Sequence, residues 1–193
     1  MEKSCNKELF MIVIGGKPEG RFTEQHDVYF GIANELKDLV PDMYEFWPAL
    51  EGKMHIDSWR KVTQIGDHRI SISPKTTNSG HNTKKLFFVN LGGYKPNDME
   101  EYHYKQLVVA DNLAEATRLA KDSVFWKHHE SSHIDDKYGI DVDDIYEVND
   151  LLNPKFKENY HLNIFENLNQ GEDVLEIGYL KISKLLKDIE KQD

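Results

Sequence analysis

Residues 9–26 read LFMIVIGGKPEGRFTEQH, and residues 86–103 read LFFVNLGGYKPNDMEEYH. Each is a short apolar run, a Gly-Gly pair, a polar loop and then Glu-x-His. Sliding the chain by 77 residues lays 9–36 on 86–113, and eight of those 28 positions are identical: Leu9/Leu86, Phe10/Phe87, Gly15/Gly92, Gly16/Gly93, Glu24/Glu101, His26/His103, Ala33/Ala110 and Leu36/Leu113. Ordinary composition gives roughly two such identities by chance. A repeat decides the architecture before any local reading does.

The echo continues with small shifts. Phe46-Trp47 finds Phe125-Trp126, His55-Ile56-Asp57 finds His133-Ile134-Asp135, and HRISI at 68–72 finds HLNIF at 161–165. LEIGYL at 175–180 starts the apolar strand a third time. The pattern implies a tandem duplication with a closing strand.

One unit reads as ββαββ. LFMIVI is short, apolar and partly β-branched, which is a buried strand. Gly15 and Gly16, like Gly92 and Gly93, are expected to form a structural turn with positive φ. HDVYFGIA and YHYKQLVVA are second strands. In the second unit Asn112 and Glu115 have capping-box spacing, and Leu113, Ala116, Ala120 and Val124 make one apolar stripe. In the first, Leu36, Leu39, Val40, Met43 and Trp47 keep helical spacing, but Pro41 predicts a kink or two short helices. Further strands are expected near Trp59–Ile65 and His68–Ser73, with a tight turn at Gly66-Asp67.

The domain reading is a tail over 1–8, a first unit over 9–73, a linker over 74–85, a second unit with its closing strand over 86–181, and an amphipathic helix over 182–193 on Ile182, Leu185, Leu186 and Ile189. The fold class is α+β with mostly antiparallel sheets and pseudo-twofold symmetry. One helix per unit leaves a sheet face bare, so the two units are expected to pair those faces or join edges.

The chain has 193 residues and a formal net charge of −10. That charge repels a phosphate backbone, and no basic patch offsets it, so nucleic acid is not expected as a partner. Cys5 is the single cysteine, which excludes an intrachain disulfide and CxxC zinc sites. The six apolar residues from Leu9 to Ile14 are too few for a signal peptide or a membrane span. A cytoplasmic location is the expectation.

The chemistry-capable residues come as pairs two apart: Glu24/His26, His55/Asp57, Glu101/His103 and His133/Asp135. In an extended segment such pairs point to one side. Three readings compete. The side chains can staple polar loops. His26, His55 and Asp57 can ligate a divalent metal. A histidine and its carboxylate can also form an acid–base site. Histidines more than about 8 Å apart would put a shared metal out of reach. Gly15-Gly16 lacks the spacing of a phosphate loop. Lys17 and Arg21 can hold an anion in the first unit, but Tyr94 and Asp98 replace them in the second.

IGG or LGG with its loop, EQHD, FGIA, FWP, and HID leading to WRKV together resemble the domain of unknown function 1543 family of uncharacterised bacterial proteins. The resemblance is expected to run over about residues 9–180. It implies an architecture and carries no activity. The second unit departs from the pattern, with EYHY for EQHD and FWKHH for FWP. Two functions are therefore carried forward. One is a binding or interaction module for a small molecule or protein, compatible with a homodimer through a strand edge. The other is a metal-dependent or acid–base enzyme of hydrolase type.

Overall fold

The computed structural model describes residues 7–76, 83–94, 97–128, 141–168 and 171–187, with only the backbone of 124–128 and 141. His133 and Asp135 lie outside the described residues. The fold is α+β, and every strand pairing is antiparallel.

The chain opens with β1 (Glu8–Gly16) and β2 (Gln25–Ala33). A 3-10 turn over Leu36–Leu39 leads into helix α1 (Val40–Phe46), with Pro41 in its first turn. There its missing N–H costs nothing, so the proline starts a second short helix instead of breaking one long one. Next come β3 (His55–Val62), the two-residue β4 (Gln64–Ile65) and β5 (His68–Pro74). The second half repeats the order with β6 (Lys85–Tyr94), β7 (Glu101–Ala110), α2 (Leu113–His128) and β8 (Asp141–Glu147). Short helices α3 (Val148–Leu151) and α4 (Pro154–Asn159) precede β9 (Tyr160–Glu166), β10 (Glu176–Lys181) and α5 (Ile182–Lys187).

Among the described residues three sheets form, with orders β10-β3-β1-β2, β7-β6-β8 and β4-β5-β9. β5 therefore leaves the sheet of β1 to β3 and pairs with β9, placing Ile70 opposite Ile164. The expected four-stranded ββαββ sheet is not what forms: Thr63 interrupts the ladder, and its N–H and hydroxyl donate to Asp173 instead.

Leu9, Phe10, Met11, Ile12 and Ile14 are all buried, so β1 is covered on both faces. Tyr29 stacks on Phe46 of α1 on one side, with ring centroids 5.4 Å apart. On the other, Phe30 meets Phe88 edge-on at 5.7 Å, a pair worth about 0.5–1.5 kcal/mol beyond its buried area. That contact belongs to a core that also takes in Leu86, Leu107 and Val109, so the two larger sheets pack face to face. A second core lies beneath α2, on Phe87, Val89, Leu91, Ala116 and Ala120. Of the expected stripe on α2, Ala116 and Ala120 pack, Leu113 is 51% exposed with Leu119 packing in its place, and the Val124 side chain lies outside the described residues. The Asn112 cap forms, accepting from the Glu115 N–H at 3.0 Å.

The two Gly-Gly pairs are also corrected. They are not turns, and none of the four glycines has positive φ. They end strands β1 and β6 within full ladders, where Gly15 faces His26 and His55, and Gly92 faces His103 and Asp141.

Candidate functional site

Gly15 is where the first site is built. A Cβ there would stand 2.6 Å from His26 Cδ2, 2.8 Å from Asp57 Oδ2 and 2.8 Å from His55 Nε2. Only glycine leaves that space, so the residue is chosen for close approach and not for backbone freedom.

The ladder explains how three side chains reach one point. β2 places His26 opposite Gly15, and β3 places His55 on its other flank. Between Val13 and Ile14 the register with β3 shifts, from Val13↔Ser58 to Ile14↔Ile56, and Asp57 is the extra residue of that bulge. A bulge re-aims a side chain without ending the strand. Here it turns the Asp57 carboxylate onto the imidazoles.

His26 Nε2 lies 3.2 Å from Asp57 Oδ2. His55 Nε2 lies 3.4 Å from Asp57 Oδ1 and 3.8 Å from Glu24 Oε2. The imidazole centroids are 6.3 Å apart, inside the limit a shared metal sets. These atoms are close without being hydrogen-bonded. His55 Nε2 and Asp57 Oδ2 are buried and have no hydrogen-bond partner among the described residues. His55 is 2% exposed, whereas Glu24 and His26 face solvent. Glu24, His26 and His55 each offer a donor atom, all within 4.8 Å of one another.

A matching cluster stands over Gly92. The register shift recurs between Asn90 and Leu91, 77 residues along, with Asp143 as the extra residue. His103 Nε2 lies 3.3 Å from Asp143 Oδ2 and 4.0 Å from Glu101 Oε2. A Cβ on Gly92 would collide with the Asp143 carboxylate. Here every side chain is exposed. Tyr94 hydrogen-bonds Glu101, whose negative charge raises the phenol above its ordinary pKa.

Of the residues singled out in the sequence, Glu24, His26, His55 and Asp57 come together in the first cluster. In the second, Glu101 and His103 meet Asp143. The HID identity at 133–135 pointed away from the strand that lies opposite Gly92. The better signal was Asp141-Val142-Asp143-Asp144, which has the same alternation as His55-Ile56-Asp57-Ser58 and, like it, opens a strand. Sequence reasoning also missed Tyr179, whose ring lies 4.4 Å from that of His55.

Between the packed sheets runs a cleft of about 770 Å³, with Met11, Val13, Leu107 and Val109 on its walls and His103 and Arg60 at its rim. Burial lowers the Arg60 pKa, and Asp173 and Glu172 oppose that shift.

Residues 21–72 match the Domain of Unknown Function DUF1543. The match agrees with the family read from the motifs, over a narrower span than the expected 9–180. The DUF1543 segment contains EQHD, FGIA, FWP, HID and WRKV, and so it carries Glu24, His26, His55 and Asp57. The chain is also similar in fold to the crystal structure of a protein Il1583 from Idiomarina loihiensis. The TM-score is 0.60 at 22% identity, over 90% of this chain and 96% of that one. No curated protein matches the chain. Among the described residues, no helix is long and apolar enough to cross a membrane.

Proposed function

We propose that the protein binds one divalent transition metal over Gly15, on His26, His55, Asp57 and Glu24. One observation carries this reading: Glu24, His26 and His55 converge, Asp57 reaches both imidazoles, and His55 Nε2 and Asp57 Oδ2 stay buried without hydrogen-bond partners among the described residues. Two donors about 2.1 Å from one tetrahedral ion stand about 3.4 Å apart. The separations of 3.2, 3.4 and 3.8 Å fit that spacing. A nitrogen and oxygen set of this kind suits zinc, manganese or iron(II). Loop stapling alone is a poorer account, because staples satisfy polar atoms and these atoms are left unsatisfied.

The exposed side of Glu24 and His26 leaves room for water or a small polar molecule on the metal. That arrangement supports metal-assisted acid–base chemistry of hydrolase type over a closed structural site. The second cluster, with one imidazole and full exposure, is the weaker of the two. The matched bulges and pairings at a step of 77 favour descent from one duplicated half, joined about a pseudo-twofold axis between β5 and β9.

The test is metal analysis of protein purified without a histidine tag, followed by titration calorimetry with zinc, manganese and iron(II). The expected result is one metal per chain, lost in His55→Ala. Protein that neither carries nor takes up metal would remove this reading.

A second reading has its own observation. Ile177 on β10, an outer strand of its sheet, is 81% exposed, and Val174 and Leu175 just before that strand are exposed too. An exposed apolar edge favours a protein partner or a second copy. Light scattering that gives the dimer mass, reverting to monomer in Ile177→Lys, would support it.

A further inference from the structure

We propose that Tyr179 is a positioning residue of the metal site, holding the His55 ring in its ligating orientation. This rests on the metal reading above. β10 pairs with β3 as Ile177↔Ser58 and then, after a shift, as Leu180↔Ile56 and Lys181↔His55. Gly178 and Tyr179 are the residues left over, beside the Asp57 bulge. Gly178 has φ +139°, a conformation that side chains rarely adopt. The distortion lifts the Tyr179 ring onto His55, at 4.4 Å between centroids and 37° between planes.

The exposures explain the consequence. Tyr179 is 62% exposed while His55 is 2% exposed. The phenol ring is thus an outer wall, with one face on the imidazole and the other in water. A ligating imidazole must keep its nitrogen aimed at the ion, and a ring free to turn loses that aim. Metal-bound histidines are commonly fixed by a neighbour that orients the ring. Here the neighbours are the bare Gly15 backbone on one side and Tyr179 on another.

The second half supplies the contrast. Asp141 stands where His55 would be, opposite Gly92, and among the described residues no strand pairs with the outer edge of β8. The aromatic wall and the buried histidine occur together or not at all.

The experiment uses cobalt(II) as the probe with the full chain, in Tyr179→Phe, Tyr179→Leu and Tyr179→Ala. Tyr179→Phe should bind as the parent protein does, with the same visible absorption. Tyr179→Ala should bind about 10- to 100-fold more weakly and with altered absorption, while its far-ultraviolet circular dichroism stays unchanged. Proton NMR of the metal-free protein should show the His55 ring signals losing their ring-current shift in Tyr179→Ala. Tyr179→Leu keeps bulk without a ring and should also weaken binding. Parental affinity in either Tyr179→Ala or Tyr179→Leu overturns the proposal while leaving the metal reading intact. A parent protein that binds no cobalt overturns the metal reading and this proposal with it.

Discussion

Over Gly15 stand two imidazoles and two carboxylates, with one imidazole buried. Over Gly92 stand one imidazole and two carboxylates, all exposed. The backbones beneath them are alike, down to the extra aspartate at the same step of the ladder. What differs is the environment: β10 covers the outer side of β3, whereas β8 has no such neighbour among the described residues. The comparison teaches that strand geometry delivers the side chains and burial decides their chemistry. An imidazole in water is already solvated, so an ion has little to offer it. A buried nitrogen with no hydrogen bond is a standing cost that an ion removes.

The contrast can be broken most sharply at the glycines. Gly15→Ala drives a Cβ into His26, His55 and Asp57, and the buried His55 has no room to move aside. It should abolish metal uptake and cost about 1–3 kcal/mol in urea unfolding. The three atoms nearest a Cβ on Gly92 all belong to the exposed Asp143, which can swing into water, so Gly92→Ala should stay within about 0.5 kcal/mol. Equal losses would mean that the two clusters are equally rigid. Next come the histidines. His55→Ala should weaken metal affinity by more than about 100-fold, and His103→Ala should leave it unchanged, both read by calorimetry.

A smaller effect tests the cover on β3. Asp173 accepts from the Thr63 N–H and hydroxyl and from the Gln64 N–H, just ahead of β10. Asp173→Ala leaves those donors short of a partner and should cost about 1–3 kcal/mol in denaturant melts. A loss confined to the first sheet, seen as faster amide exchange in β3 than in β6, would sharpen the comparison.

The smallest effect concerns Tyr29 and its counterpart Gln106. Gln106 accepts from Ser123 Oγ at 2.5 Å, whereas the buried Tyr29 hydroxyl has no partner among the described residues. Burial, with help from the negative charges of Asp42 and Glu45, raises the Tyr29 phenol above its usual pKa of 10.0. The unfolded chain therefore loses this proton first as the pH rises. Stability is unaffected below about pH 10 and falls above it. Tyr29→Phe should remove that alkaline fall and change neutral stability by less than about 1 kcal/mol. An unchanged alkaline slope would assign the fall to other groups.

Much of this was legible in the residues. The apolar runs of β1 and β6, the closing strand, the displaced helix start at Pro41 and the Asn112 cap all follow from period, proline chemistry and side-chain capping. So does the facing of Glu24 and His26, because residues two apart share a side. Partner choice was not legible. Nothing local in HRISI says that β5 would leave β3 for β9, since strand pairing is decided by contacts across 86 residues or more. The Gly-Gly pairs misled for a related reason: a glycine that clears space for distant side chains reads like one that turns the chain. His133-Ile134-Asp135 misled through identity, while the strand opposite Gly92 kept only the pattern. Tyr179 depends on a register shift in a strand more than a hundred residues from His55, which no spacing rule reveals.

The two bulges have one more consequence. Asp57 and Asp143 are supernumerary in their ladders, each inserted between residues that would pair regularly without it. Loss of the single codon for Asp57 would leave His55 opposite Gly15 and Ile56 opposite Ile14. The carboxylate is therefore detachable. One step can add or delete it while the register of β3 on β1 stays intact, so the chemistry of this site and the ladder that carries it can vary separately.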